Sequence, residues 1–134
     1  DPDHIKRAVL NLVDNAVEAI GDSGVVSVET VHVPETGHAR IIVADIPLLF
    51  EAADPAEFDA VVLVDAPEAV RLHRLVTMRG LPREDAERLI AAQLPSDTKR
   101  PRSQFVIDND GDRAQLERRA RDVWLALEAR AAAA

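Results

Sequence analysis

Apolar residues recur at helical spacing over the first twenty positions, at Ile5, Val9, Leu12, Ala16 and Ile20, and predict an amphipathic helix. Asp1 is placed to cap it, Pro2 falls in its first turn, and Gly21 and Gly24 end it. The period then shortens. Val26 and Val28 fall on one face and Ser27 and Glu29 on the other, so Val25–Val33 reads as a strand. Pro34-Glu35-Thr36-Gly37 is a turn signal, and Arg40–Ala44 a second strand, antiparallel to the first because the connection is too short to cross over. The run Ile41-Ile42-Val43 implies burial on both of its faces.

Further along, Pro47–Ala53 predicts a short helix or turn, and Ala60–Val64 another buried strand. Asp65-Ala66-Pro67-Glu68 opens a helix that closes near Met78-Arg79-Gly80. Pro82 opens the next, with Ala86, Leu89 and Ile90 on its apolar face, running to about Gln93. Leu94–Ser103 is polar, contains two prolines and reads as a loop, followed by a short strand at Gln104–Ile107. Asp112 can cap a last helix whose stripe is Leu116, Ala120, Val123 and Leu127. The sum is one α/β domain over residues 1–134: a single-layer mixed sheet of about four strands flanked by helices.

Composition narrows the function classes. With 134 residues and 47% apolar content the chain can build a core. No apolar run is long enough to span a membrane, and the Asp1-Pro2-Asp3-His4 start does not read as a secretory signal. Cysteine is absent, which removes disulfides and thiolate chemistry and fits a cytoplasmic setting. The net charge of -8 disfavours nucleic acid. The charge is uneven: residues 71–102 hold eight basic and four acidic side chains, against three and fourteen in residues 1–70. Such a local excess suits an anion such as phosphate, or simply a solvated helical face. His4, His32, His38 and His73 show no metal-type spacing, and Asp108–Asp112 is better explained as a turn and helix cap than as a calcium loop.

Two stretches carry nucleotide chemistry. Asn11 and Asn15 are four apart and share a helix face, where two neutral amides can bind hydrated magnesium and phosphates; Glu18 could join them. The same spacing also suits a solvent-facing polar stripe. The run Asn11-Leu12-Val13-Asp14-Asn15-Ala16-Val17-Glu18-Ala19 resembles the N-box of the GHKL-type ATP-binding domain of sensor histidine kinases. That resemblance, over about residues 1–44, implies a magnesium-coordinating role for Asn15, with Asn11 assisting in ATP binding. The family's Asp-x-Gly-x-Gly segment has no counterpart, because Asp45 is followed by Ile46-Pro47-Leu48-Leu49.

From about Ile41 to Ala129 the chain resembles dephospho-CoA kinase, a P-loop kinase. The matching pieces are Ile46-Pro47-Leu48-Leu49-Phe50-Glu51, Phe58 to Ala66, Arg74-Leu75, Arg79-Gly80-Leu81, Gln93, Lys99-Arg100 and Val106-Ile107-Asp108-Asn109. The resemblance implies transfer of the ATP γ-phosphate to the ribose 3'-hydroxyl of dephospho-CoA. It also implies that Arg74 and Arg79, with Arg83 and Arg88 in the same region, are lid arginines that close over phosphates. The P-loop pattern Gly-x-x-x-x-Gly-Lys-[Ser/Thr] does not occur in the sequence.

These two resemblances meet near Ile42–Pro47 and suggest a chimeric or designed chain, built from residues 1–44 and 45–134, that is structural rather than catalytic. On that reading no cofactor is expected, and ATP with magnesium only if the remnant sites function. The alternatives are a weak phosphate, nucleotide or CoA-ligand binder using the lid arginines, and a dephospho-CoA kinase. The P-loop kinase order would leave a gap between the strand before Pro47 and the strand at Ala60–Val64, and Val25–Val33 is expected to fill it or to pair on the other edge, with helix 2–20 covering a face. Strands left unpaired would favour a homo-oligomer.

Overall fold

A computed structural model describes residues 24–33, 38–46 and 48–133. The helix expected over residues 2–20, with Asn11 and Asn15, and the turn at residues 34–37 lie outside the described residues. In chain order the elements are strands β1 (Gly24–Val33) and β2 (His38–Asp45), a one-turn helix α1 (Leu49–Ala52), and strand β3 (Ala60–Asp65). Helices α2 (Glu68–Thr77) and α3 (Arg83–Ala91), the short α4 (Ser96–Lys99), strand β4 (Phe105–Asp108) and the long α5 (Arg113–Ala133) follow.

Among the described residues the strands line up in the order β2-β1-β3-β4. β1 runs antiparallel to both neighbours, Val28 facing Val43 of β2 and Ala60 of β3. It thus fills the gap between the strand before Pro47 and Ala60–Val64, the first of the two positions open to Val25–Val33, and satisfies backbone groups on both sides. β3 and β4 are parallel, with Asp65 opposite Asp108 at their C-terminal ends, so the sheet is mixed.

β3 is an unbroken apolar run because both of its faces are covered. On one face Ala60, Val62 and Val64, with Ile107 of β4, pack against Leu116, Ala120, Trp124 and Leu127 of α5. On the other, Val61 and Leu63 meet Leu49 and Phe50 of α1. Burying each such side chain contributes about 1.5–3 kcal/mol before entropy is charged against it. The start of α5 is fixed as its sequence suggests: the Gln115 N–H donates to Asp112 Oδ1 at 2.8 Å, and the Asp112 N–H donates back to Gln115 Oε1 at 3.3 Å.

α2 and α3 form a helical hairpin with its own small core of Leu75, Ala86 and Ile90. Gly80, at φ +68°, ends α2 in a left-handed conformation that most side chains avoid, and the Leu81 N–H turns back to the Leu75 carbonyl at 3.1 Å. Leu89, expected on the apolar face, is 45% exposed. The larger departure is Leu94–Ser103, expected to be a loop. It contains α4 and a 3-10 turn at Arg100–Arg102, and the Lys99 side chain is fully buried. Polarity misled there because the lysine finds its partner, Glu51, far away in sequence. No helix among the described residues is long and apolar enough to cross a membrane.

Candidate functional site

Several charged side chains converge at the C-terminal edge of the parallel pair β3/β4, where open α/β sheets commonly bind ligands. Asp65 ends β3 and is only 5% exposed. Its Oδ1 accepts from Ser96 Oγ at 2.7 Å and its Oδ2 from Arg100 Nη1 at 2.8 Å. The same Nη1 donates to Asp108 Oδ1 at 2.9 Å, so one guanidinium joins the ends of both strands. The carboxylates of Asp108 and Asp65 hold the Arg100 guanidinium above the ordinary arginine range. Backbone reinforces the edge, since the Asn109 N–H donates to the Asp65 carbonyl at 2.7 Å.

α2 brings Arg74 to this edge. Arg74 Nη1 donates to the Asn109 carbonyl at 2.8 Å, tying the hairpin to the residue after β4. Arg71, one turn earlier, is buried and donates to Gln93 Oε1 at 3.4 Å. From the opposite side α5 contributes Arg119, which donates to the Asp108 carbonyl and, at 2.7 Å, to Asp110 Oδ1. The Arg119 guanidinium holds the exposed Asp110 carboxyl below its usual range.

A second ionic contact braces the site from below. Lys99 Nζ lies 2.8 Å from Glu51 Oε1, which also accepts the Leu94 N–H at 3.0 Å. Burial pushes the Glu51 carboxyl up, but the hydrogen bonds from Lys99 and Leu94 outweigh it and hold the group below the ordinary glutamate range. Arg102 lies over the Phe50 ring, 5.3 Å from its centre, so cations of the 94–103 segment grip α1 at two points.

Of the arginines singled out in the sequence, Arg74 reaches this edge, whereas Arg79, beyond the end of α2, is exposed. Arg83 and Arg88 pair along α3 with Glu87 and Asp85, both at 2.8 Å, and so act as helix-surface partners. Asn11 and Asn15 lie outside the described residues. Sequence reasoning missed Asp65, Arg71, Ser96 and Arg100 as site residues. An acidic residue closing an apolar strand was a usable signal for Asp65; nothing local marked Arg71. No group of three or more His, Cys, Asp or Glu side chains among the described residues could hold a metal ion.

Comparison with known proteins gives the chain's family. A family model for dephospho-CoA kinase matches residues 14–115. The Corynebacterium diphtheriae dephospho-CoA kinase is 46% identical over 85 residues, covering 63% of this chain and 42% of that enzyme. The Frankia casuarinae dephospho-CoA kinase is 41% identical over 96 residues, covering 72% of this chain and 42% of the enzyme. A crystal structure of a Thermus thermophilus protein superposes with a TM-score of 0.57 at 35% identity, covering 61% of this chain and 42% of that one. The chain thus spans less than half the length of the curated relatives it matches.

These findings overturn the expectation of a chimeric or designed, purely structural protein. The match starts at residue 14, ahead of the hairpin, and runs across Ile42–Pro47 as one span. It also leaves the histidine-kinase-like segment, and with it the magnesium role given to Asn15 and the assisting role of Asn11, without support. A short helical motif of common residues arises by chance far more readily than several motifs in register from Ile46 to Asn109. The absence of a P-loop pattern from these residues does not weigh against that ancestry. From residue 14 through the hairpin, the central strands and helices α2 and α3 to residue 115, the chain belongs to the dephospho-CoA kinase family.

Proposed function

We propose that this chain serves ATP-dependent phosphoryl transfer to dephospho-CoA, and that its part in the reaction is to present lid arginines at the strand ends. The observation that carries the proposal is the 2.8 Å bond from Arg74 to the Asn109 carbonyl, which sets an α2 guanidinium at the edge of the parallel pair. Phosphoryl transfer depends mainly on positioning and on stabilising charge spread over the phosphoryl oxygens. Arg74 and Arg79 suit that work, because a guanidinium stays charged and offers several donors in a fixed fork. Arg100, locked between Asp65 and Asp108, keeps the edge rigid beside Arg74.

On this reading the arginines donate to phosphate oxygens from the α2 side of the edge. The ligands expected on this reading are ATP with magnesium and dephospho-CoA. Calorimetric titration of the 134-residue chain with each tests it. Saturable sub-millimolar binding that disappears in an Arg74→Ala/Arg79→Ala double variant is the expected result. Absence of binding to both ligands, or binding indifferent to that double substitution, would sink the proposal.

A further inference from the structure

Of the buried charged side chains Asp65, Arg71 and Lys99, the first and last are ion-paired, with Arg100 and Glu51, and Arg71 is not. It projects from the first half of α2 and is only 7% exposed. Its hydrogen bond to Gln93 is long, at 3.4 Å, and reaches a neutral amide. Its Nε is buried with no acceptor at all. A guanidinium cannot shed its proton to relieve this, unlike a buried lysine or histidine. Burying a charge without a counter-charge is among the costliest arrangements a fold can hold, and buried donors are nearly always satisfied. The other arginines near the strand ends spend their donors on carboxylates or backbone carbonyls: Arg100 on Asp65 and Asp108, and Arg119 on Asp108 and Asp110.

The surroundings indicate which anion would fit. Arg74 follows Arg71 by three residues and so lies on the same face of α2. Arg74 is fixed at one nitrogen by the Asn109 carbonyl. Two guanidiniums on one helix face can donate to separate oxygens of one anion. They match oxygens spread tetrahedrally around phosphorus better than the two coplanar oxygens of a carboxylate. The long bond to Gln93 gives the Arg71 head little to lose on turning toward a ligand.

We propose that Arg71, backed by Gln93, is a buried anion-recognition residue that takes a non-bridging oxygen of a polyphosphate, with Arg74 on a neighbouring oxygen. The choice of a polyphosphate over other tetrahedral anions rests on the phosphotransfer function proposed above; the uncompensated cation is independent of it.

The test uses inorganic pyrophosphate, which carries neither base nor pantetheine, titrated calorimetrically into the 134-residue chain, with thermal unfolding measured in parallel. Wild type is expected to bind it and to melt higher in its presence. Arg71→Met should weaken that binding by about ten-fold or more, as expected for loss of a charged buried hydrogen bond. Gln93→Glu should raise the melting temperature without ligand, because it supplies Arg71 with an internal carboxylate, and should weaken pyrophosphate binding in turn. If Arg71→Met does not fold, Gln93→Glu decides alone. Pyrophosphate affinity within about two-fold of wild type in the folded variants overturns the proposal. If ATP binding still depends on Arg74 and Arg79 in that case, the phosphotransfer function stands and only the role of Arg71 falls. Absence of both pyrophosphate and ATP binding in wild type removes both.

Discussion

Lys99 Nζ meets Glu51 Oε1 at 2.8 Å, with the lysine side chain fully buried and the glutamate 17% exposed. The contact joins α1 to α4 and, through the Leu94 N–H on the same oxygen, holds the segment that leaves α3. Glu51 Oε2 is buried without a hydrogen-bond partner, so the carboxylate depends heavily on its lysine. Lys99→Met is expected to destabilise the fold by about 3–5 kcal/mol, since it strands a buried charge. Adding Glu51→Leu to that variant should recover much of the loss. Urea unfolding midpoints of the two single variants and the double variant check this; equal destabilisation in Lys99→Met and the double variant would contradict it.

The same carboxylate sets a pH dependence. Its folded-state pKa lies below the ordinary glutamate value of 4.5. A depressed carboxylate contributes stability that is fully present above its unfolded pKa and is lost as pH falls through the folded one. Stability should therefore decline below pH 4.5 partly through Glu51, and Glu51→Gln should show a shallower decline over that window. Denaturant unfolding at a series of acid pH values measures the difference in slope.

Arg100 is 41% exposed, but it compensates Asp65, whose side chain is 6% exposed. Arg100→Ala should cost about 2–3 kcal/mol, less than a fully buried pair because solvent already screens the arginine. Arg100→Ala in an Asp65→Asn background should cost clearly less, because the buried carboxylate is then gone. A double-mutant cycle by urea unfolding gives the coupling, and a value near zero would show that Ser96 alone suffices for Asp65.

The α2–α3 hairpin has a core separate from those on the two faces of the sheet. Leu75→Ala removes a fully buried side chain from it and should cost about 2–5 kcal/mol locally. Hydrogen exchange should then accelerate in α2 and α3 far more than in β3 or α5. Uniform acceleration throughout would mean that the hairpin and the sheet unfold as one unit.

Much of the secondary structure was written locally. The apolar run of β3 and the stripe of Leu116, Ala120 and Leu127 mark elements that bury two faces or one, and Asp112 marks the start of α5 through a bond to its own next turn. These features depend on neighbours close in sequence, so period and capping reveal them. The dephospho-CoA kinase resemblance was likewise visible in motifs from Ile46 to Asn109.

The candidate site was less legible because its contacts cross the chain. Lys99 looked like a solvated loop residue until Glu51 was brought against it, and Arg71 like one more helix-surface cation until the packing around α2 buried it. Arg74 and Arg79 looked equivalent, yet only Arg74 touches the end of β4, because Gly80 ends the helix and leaves Arg79 outside. The sequence alone determined periodicity, caps and family, which rest on residue type and near spacing. The tertiary structure decided which charges are paired, which are buried and which is left uncompensated, because burial and long-range ion pairing are properties of the packed chain.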